Sequence, residues 1–369
     1  MLNKRTPWQI MRPHLLVFDR HLSLLLLILV ALSMFNMYSA GHDYSGRFLD
    51  HFRNLGIAFS LMWLTARIPP QTMMRIALPM YLAALILLVC VALFGDVSKG
   101  ARRWLNLGLM RIQPSELMKI SMPLMLAWYF HMRASALRLS DYGVAAVLLV
   151  IPVGLIARQP DLGTAVLVLA AGFYVIFLAG LRWRILIGLV LTMLASLPLV
   201  WSMMHDYQRE RVMTLFNPSN DPLGKGFHII QSMIAIGSGG VTGKGWLQGS
   251  QAHLEFIPER TTDFILAVYA EELGLIGNVI LLLVYGAIIF RGLTIAGNAP
   301  NLFSRLLAGS ITLIFFTYVF VNMGMVSGVL PVVGVPLPFM SYGGTAMVTL
   351  GVGMGILMSV QRHRKLVQT

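Results

Sequence analysis

Ten apolar stretches run along the chain, at roughly 22–40, 54–68, 76–94, 116–130, 142–157, 162–180, 185–203, 264–290, 306–328 and 340–360. Most are joined by short polar turns. A helix needs about 17–25 predominantly apolar residues to cross the hydrocarbon layer. Only helices and closed barrels satisfy their own peptide groups there. The expected fold is therefore all-α: one membrane-embedded domain over residues 1–369 with about ten transmembrane helices.

Assigning the connections alternately to two sides sorts the charges. The side holding both termini carries fifteen Lys and Arg, with Asp19 and Asp141 as its only acids. That excess equals the whole formal charge of +13. The positive-inside rule makes this side cytoplasmic. The opposite side balances its charges, and the chemistry is sought there.

Three outward segments are longer than turns. Residues 95–115 join the third and fourth spans, 204–262 form a large loop between the seventh and eighth, and 329–339 precede the tenth. The large loop is too long for a structureless connector. Its FHIIQSMIAIG part, 227–237, has the spacing of an amphipathic helix at the interface. Pro331, Pro336 and Pro338 predict that VLPVVGVPLP is extended and stiff.

Composition closes off other classes. Mean hydropathy of +0.74 and 12% charged residues exclude a soluble globular protein. The basic balance is the ordinary topogenic pattern and does not imply nucleic acid. Cys90 is the only cysteine, so no intramolecular disulfide or thiolate cluster is possible.

Three acids open helices on the outward side: Gln113-Pro114-Ser115-Glu116, Gln159-Pro160-Asp161 and Thr261-Thr262-Asp263. Each alone has an ordinary explanation, since acids favour helix N-termini. Three at one boundary, beside cations, point to a site, because intramembrane ionisable groups are costly. Lys119 shares a helical face with Glu116. Lys99, Arg102, Arg103 and Arg111 crowd the preceding segment against Asp96. Such an excess suits an anionic phosphate or pyrophosphate head group. Trp104 among them reads as an interfacial anchor.

GSGGVTGKG at 237–245 fails as a phosphate loop, because Ser238 replaces the first glycine and Gly245 follows Lys244; a flexible turn is expected. His205, His228 and His253 lack metal-site spacing and read as surface residues. Glu271 and Glu272 fall two turns into the eighth span; one is expected to be paired, and both to face a cavity. Gly351 and Gly355 form a GxxxG that predicts close helix packing. No nucleotide motif, haem-ligand set or covalent nucleophile arrangement is present. What remains is an outer cavity with cations for a phosphate and a carboxylate to act as a base.

Several long segments carry a family resemblance: RIQPSELMK (111–119), RQPDLGT (158–164), DYQRERV (206–212), NPSNDPLGKGFHIIQSMIAIGSGG (217–240), GKGWLQGSQAHLEFIPERTTDFILAVYAEELGL (243–275) and GVLPVVGVPLPFMSYGG (328–344). The chain resembles the SEDS family (shape, elongation, division and sporulation), over essentially its whole length, and its VVGVPLP favours the rod-shape branch. The resemblance implies an inverting peptidoglycan glycosyltransferase that polymerises lipid II on the outer face of the bacterial cytoplasmic (inner) membrane. It implies Asp263 as the catalytic base, and Glu116, Lys119 and Asp161 as functional acids and cation. Arg111, Arg102, Trp104, Arg211 and Ser341 are further substrate-binding candidates. A divalent cation, magnesium or manganese, would be bridged by Glu116 or Asp161. Relatives commonly carry His where this chain has Thr261. The implied partner is a class B penicillin-binding protein, a transpeptidase within the elongation machinery. A lipid II flippase and a non-catalytic scaffold are the alternative classes.

Overall fold

A computed structural model describes residues 18–42, 44–98, 101–106, 111–135, 137–159, 161–204, 209, 213–214, 225–253, 257 and 259–364. Each predicted apolar stretch is a helix. The helices are α1 (Arg20–Ala40), α2 (Arg47–Arg67), α3 (Pro70–Phe94), α4 (Pro114–Met132), α5 (Leu139–Ala157), α6 (Leu162–Leu178) and α7 (Trp183–Met203). After the large loop come α10 (Ile265–Gly297), α11 (Leu302–Val326) and α12 (Gly344–His363). Six of these, α1, α3, α5, α10, α11 and α12, are long and apolar enough to cross a membrane by length and composition. Within the loop, α8 (Lys225–Ser238) realises the expected amphipathic helix and α9 (Ser250–His253) is a single turn. α8 buries Ile229, Ser232 and Ala235 while Met233 and Ile234 stay exposed.

One feature departs from an all-α chain. Three short strands, β1 (Asp96–Ser98), β2 (Ala101–Asn106) and β3 (Arg111–Ile112), form a small antiparallel sheet in that order. Here the chain leaves the apolar stretch, so periodicity offers no helix. Asp96 pairs with Trp104, and Asn106 with Arg111.

Packing follows small residues. A Cβ on Gly351 would lie 2.5 Å from the Ala58 carbonyl, and one on Gly355 2.5 Å from that of Met62, so α12 lies directly on α2. This is the close approach the GxxxG predicts. At the opposite end of the bundle Arg291 of α10 clasps Asp19, the N-cap of α1, at 2.6 Å. The start of the first helix and the end of α10 thus share one end, as strict alternation of direction requires.

α10 is broken at Gly274, whose φ is +64°. The segment 239–245 inserts at the break. Lys244 and Gly245 N–H groups donate to the carbonyls of Glu271 and Glu272, while Leu275 and Ile276 donate back to Gly240 and Val241. All four backbone groups freed by the break are satisfied in this way. The glycine-rich stretch is therefore a fixed strap, which corrects the expectation of a flexible turn. A Cβ at Gly243 would stand 2.0 Å from the Glu272 carbonyl, so the strap closes only on bare backbone.

Candidate active site

The first turns of α4, α6 and α12 and the turn that leads into α10 gather round one cavity of about 310 Å³. Pro114 opens α4 where a missing N–H costs nothing. Asp161 caps α6 by accepting from the Thr164 N–H at 3.3 Å. Asp263 lies in the turn that leads into α10. The extended segment 331–337 crosses between α6 and α10. Gly163 admits it: a Cβ there would meet the Val333 carbonyl at 2.7 Å. Three positive helix ends face one space, an arrangement that favours bound anions.

Glu116, Lys119, Asp161 and Asp263, separated in sequence by up to 147 positions, all line this cavity. Lys119 is 3% exposed. Its ammonium donates to Glu116 Oε1 at 2.6 Å and to the Tyr318 hydroxyl at 2.7 Å. The second Glu116 oxygen accepts from Thr349 Oγ1 at 2.8 Å. Asp161 Oδ2 accepts from Gln113 Nε2 at 3.2 Å and lies 3.8 Å from the Arg103 guanidinium. These bonds hold cation and carboxylate in fixed positions, so little rearrangement is needed when charge develops. The wall at Tyr342 is backed by stacking: the Arg47 guanidinium lies 4.5 Å from its ring centre and 4.9 Å from that of Tyr44, and Arg260 lies 5.1 Å from Tyr44.

Other expected site residues stand elsewhere. Arg111 is exposed on β3 and Trp104 pairs within the sheet; neither lines the cavity. Ser341 is buried, and its hydroxyl accepts from the Leu337 N–H at 2.7 Å, holding the end of the extended segment. Arg211, His205 and the side chains of Arg102 and His253 lie outside the described residues. His228 is half-buried, its ring tilted 31° to that of Phe264 with centres 5.9 Å apart, so it is not a free surface residue. Glu271 and Glu272 show the expected pairing at one of them but do not face the cavity: both are buried and neither lines it. Lys244 clasps Glu271 at 2.6 Å, and Glu272 accepts from Ser39.

The cavity adds Arg103, Glu259, Tyr342 and Thr345. Arg103 stood among the crowded cations, and Glu259 lies one turn before Asp263, so both had a signal in the chain. Tyr318 and Thr349 had none, being single polar residues inside apolar spans. Among the described residues no group of three His, Cys, Asp or Glu is placed to hold a metal. Glu116 and Asp161, the acids expected to bridge a divalent cation, both line the cavity, with the two Glu116 oxygens bonded to Lys119 and Thr349; a magnesium-like ion takes one or two carboxylates and completes its shell with water and phosphate.

The family model for FtsW, RodA and SpoVE, described as cell cycle protein, matches residues 13–366. The chain is 50% identical over 365 residues to the peptidoglycan glycosyltransferase MrdB of Escherichia coli K12, covering 99% of this chain and 97% of that one. A solved structure described as structural coordination of polymerization and crosslinking by a peptidoglycan synthase complex aligns with a TM-score of 0.82 at 37% identity, over 94% of this chain and 98% of its own. The crystal structure of Thermus thermophilus rod shape determining protein RodA aligns with a TM-score of 0.71 at 32% identity, over 94% and 97%.

Proposed function

The chain belongs to the FtsW, RodA and SpoVE family, and from this we infer that it is a peptidoglycan glycosyltransferase whose reaction takes place in the cavity at the ends of α4, α6 and α12. Its substrate is lipid II, a disaccharide carried on a polyprenyl diphosphate. The observation that carries the reading is the convergence of Asp263, Glu116 and Asp161 with Lys119 and Arg103 on one cavity.

Asp263 takes the proton from the acceptor sugar hydroxyl. The freed oxygen attacks the donor's anomeric carbon from the side opposite the diphosphate. One C–O bond forms as the C–O bond to the diphosphate breaks, with inversion at that carbon. The electron pair leaves on the polyprenyl diphosphate, whose charge Lys119, Arg103 and the positive helix ends stabilise. A general base contributes typically 10²–10⁴-fold. A divalent cation would be held by Asp161 and Glu116 and would neutralise charge on the leaving diphosphate.

The cavity belongs on the periplasmic side of the inner membrane. All ten long helices cross: α2 and α4 carry polar residues inward, and α6 and α7 are shorter apolar helices. A class B penicillin-binding protein would cross-link the strand as it emerges.

Purified protein supplied with lipid II tests the assignment. Asp263→Ala is expected to lower strand synthesis by about 10²–10⁴-fold while retaining the parent elution profile. Synthesis at the parent rate would remove Asp263 from the base role.

A further inference from the structure

Asn322 is fully buried on α11, eight residues before the extended segment begins at Leu330–Pro331. Its amide Nδ2 donates to the Asp263 carbonyl at 2.9 Å and to the Val335 carbonyl at 2.8 Å. These two carbonyls belong to two walls of the cavity, the lead-in to α10 and the 331–337 segment. Gly334, next to Val335, lies against Asp263: a Cβ there would be 3.4 Å from Asp263 Oδ2. One side chain therefore sets the separation between the carboxylate and the wall it faces. The Asn322 Oδ1 is buried with no hydrogen-bond partner among the described residues. A buried unpaired acceptor opposes stability. An apolar residue would avoid that cost, so the amide is there for its two donors.

We propose that Asn322 is a positioning residue for glycosyl transfer, clamping the Asp263 peptide and the Val335 segment so that the carboxylate meets the acceptor hydroxyl. The proposal rests on the assignment of Asp263 as base. Asn322 touches neither substrate nor the reacting atoms. Its effect falls on the chemical step, because Lys119 and Arg103, which hold the diphosphate, are supported by other partners. A misplacement of about 1 Å at a reacting group is enough to cost about 100-fold in rate.

Kinetics on lipid II with purified full-length protein test this. Asn322→Leu, which keeps the branching at Cγ and removes both donors, is expected to lower kcat by about 10- to 100-fold with KM within about twofold. Asn322→Ser, with one donor, is expected to give an intermediate kcat, and provides the measurement if the leucine variant folds poorly. Asn36 is the control: buried on α1, it donates in the same way to the Ile265 carbonyl at 3.3 Å but spans no second wall. Asn36→Leu should keep kcat near the parent value. Parent kcat in both Asn322 variants, a matching rise in KM, or an equal kcat loss in Asn36→Leu would overturn the proposal. Asp263→Asn is run alongside: its inactivity with a normal kcat in Asn322→Leu refutes the clamp alone, whereas activity in Asp263→Asn refutes the base assignment itself. Adding Asn322→Leu to Asp263→Asn should cost nothing further.

Discussion

Lys119 is an almost fully buried ammonium on the cavity wall, and its neighbours offset the cost of burying it. Glu116, Tyr318 and Thr349 form a connected polar chain across α4, α11 and α12. Removing one partner of a buried ion pair typically costs about 3–5 kcal/mol, because the other charge is stranded. Lys119→Met is therefore expected to lower the thermal midpoint of the detergent-solubilised protein as well as its activity. Tyr318→Phe removes one hydrogen bond and should cost about 1 kcal/mol. Adding Glu116→Gln to Lys119→Met should recover part of the lost stability, which the difference between single and double variants measures. Equal losses in the single and double variants would show that the pair is not coupled.

Between helices, backbone geometry decides more than side-chain chemistry. The strap at the Gly274 break demands glycine where φ is +81° at Gly243 and the Glu272 carbonyl is close. Gly243→Ala is expected to reduce folded yield and thermal midpoint sharply, whereas Gly286→Ala, at an open position on the same long helix, should be neutral or stabilising by up to about 1 kcal/mol. A different tie joins α1 to the far end of α10. Burial pulls the Asp19 carboxyl pKa up, but its bonds to Arg291 and the Leu22 N–H, with the Arg291 charge, more than offset this and leave it below 3.8. A lowered carboxyl pKa gives stability that is present above pH 3.8 and lost as pH falls through the lowered value. The thermal midpoint of Asp19→Asn should thus lie below the parent's at neutral pH and converge with it in that acid window.

For the molecule as a whole, the proposed reaction requires the cavity to lie on the side opposite the basic face. Ser45 lies beside the cavity end, in the turn before α2, and Ser135 in the turn between α4 and α5; both are exposed. In a Cys90→Ser background, Ser45→Cys should react with a membrane-impermeant maleimide added outside spheroplasts, and Ser135→Cys only after lysis. The reverse pattern would put the cavity in the cytosol and end the proposed reaction. The long helices were legible because apolar length is one signal repeated many times over, and six of them meet it in full. The sheet at 96–112 was not, since three short strands carry no such redundancy.

Apolar length and the polar openings at Glu116, Asp161 and Asp263 were enough to mark the helices and to single out three acids that share one cavity. Those properties are local: each depends on residues adjacent in the chain and on the membrane as solvent. The grouping of the three acids into one cavity, the commitment of Glu271 and Glu272 to Lys244 and Ser39, and the bridging by Asn322 were decided only by the tertiary structure. A buried polar side chain is defined by the partner that satisfies it. That partner lies on another helix, at a sequence distance no local pattern encodes.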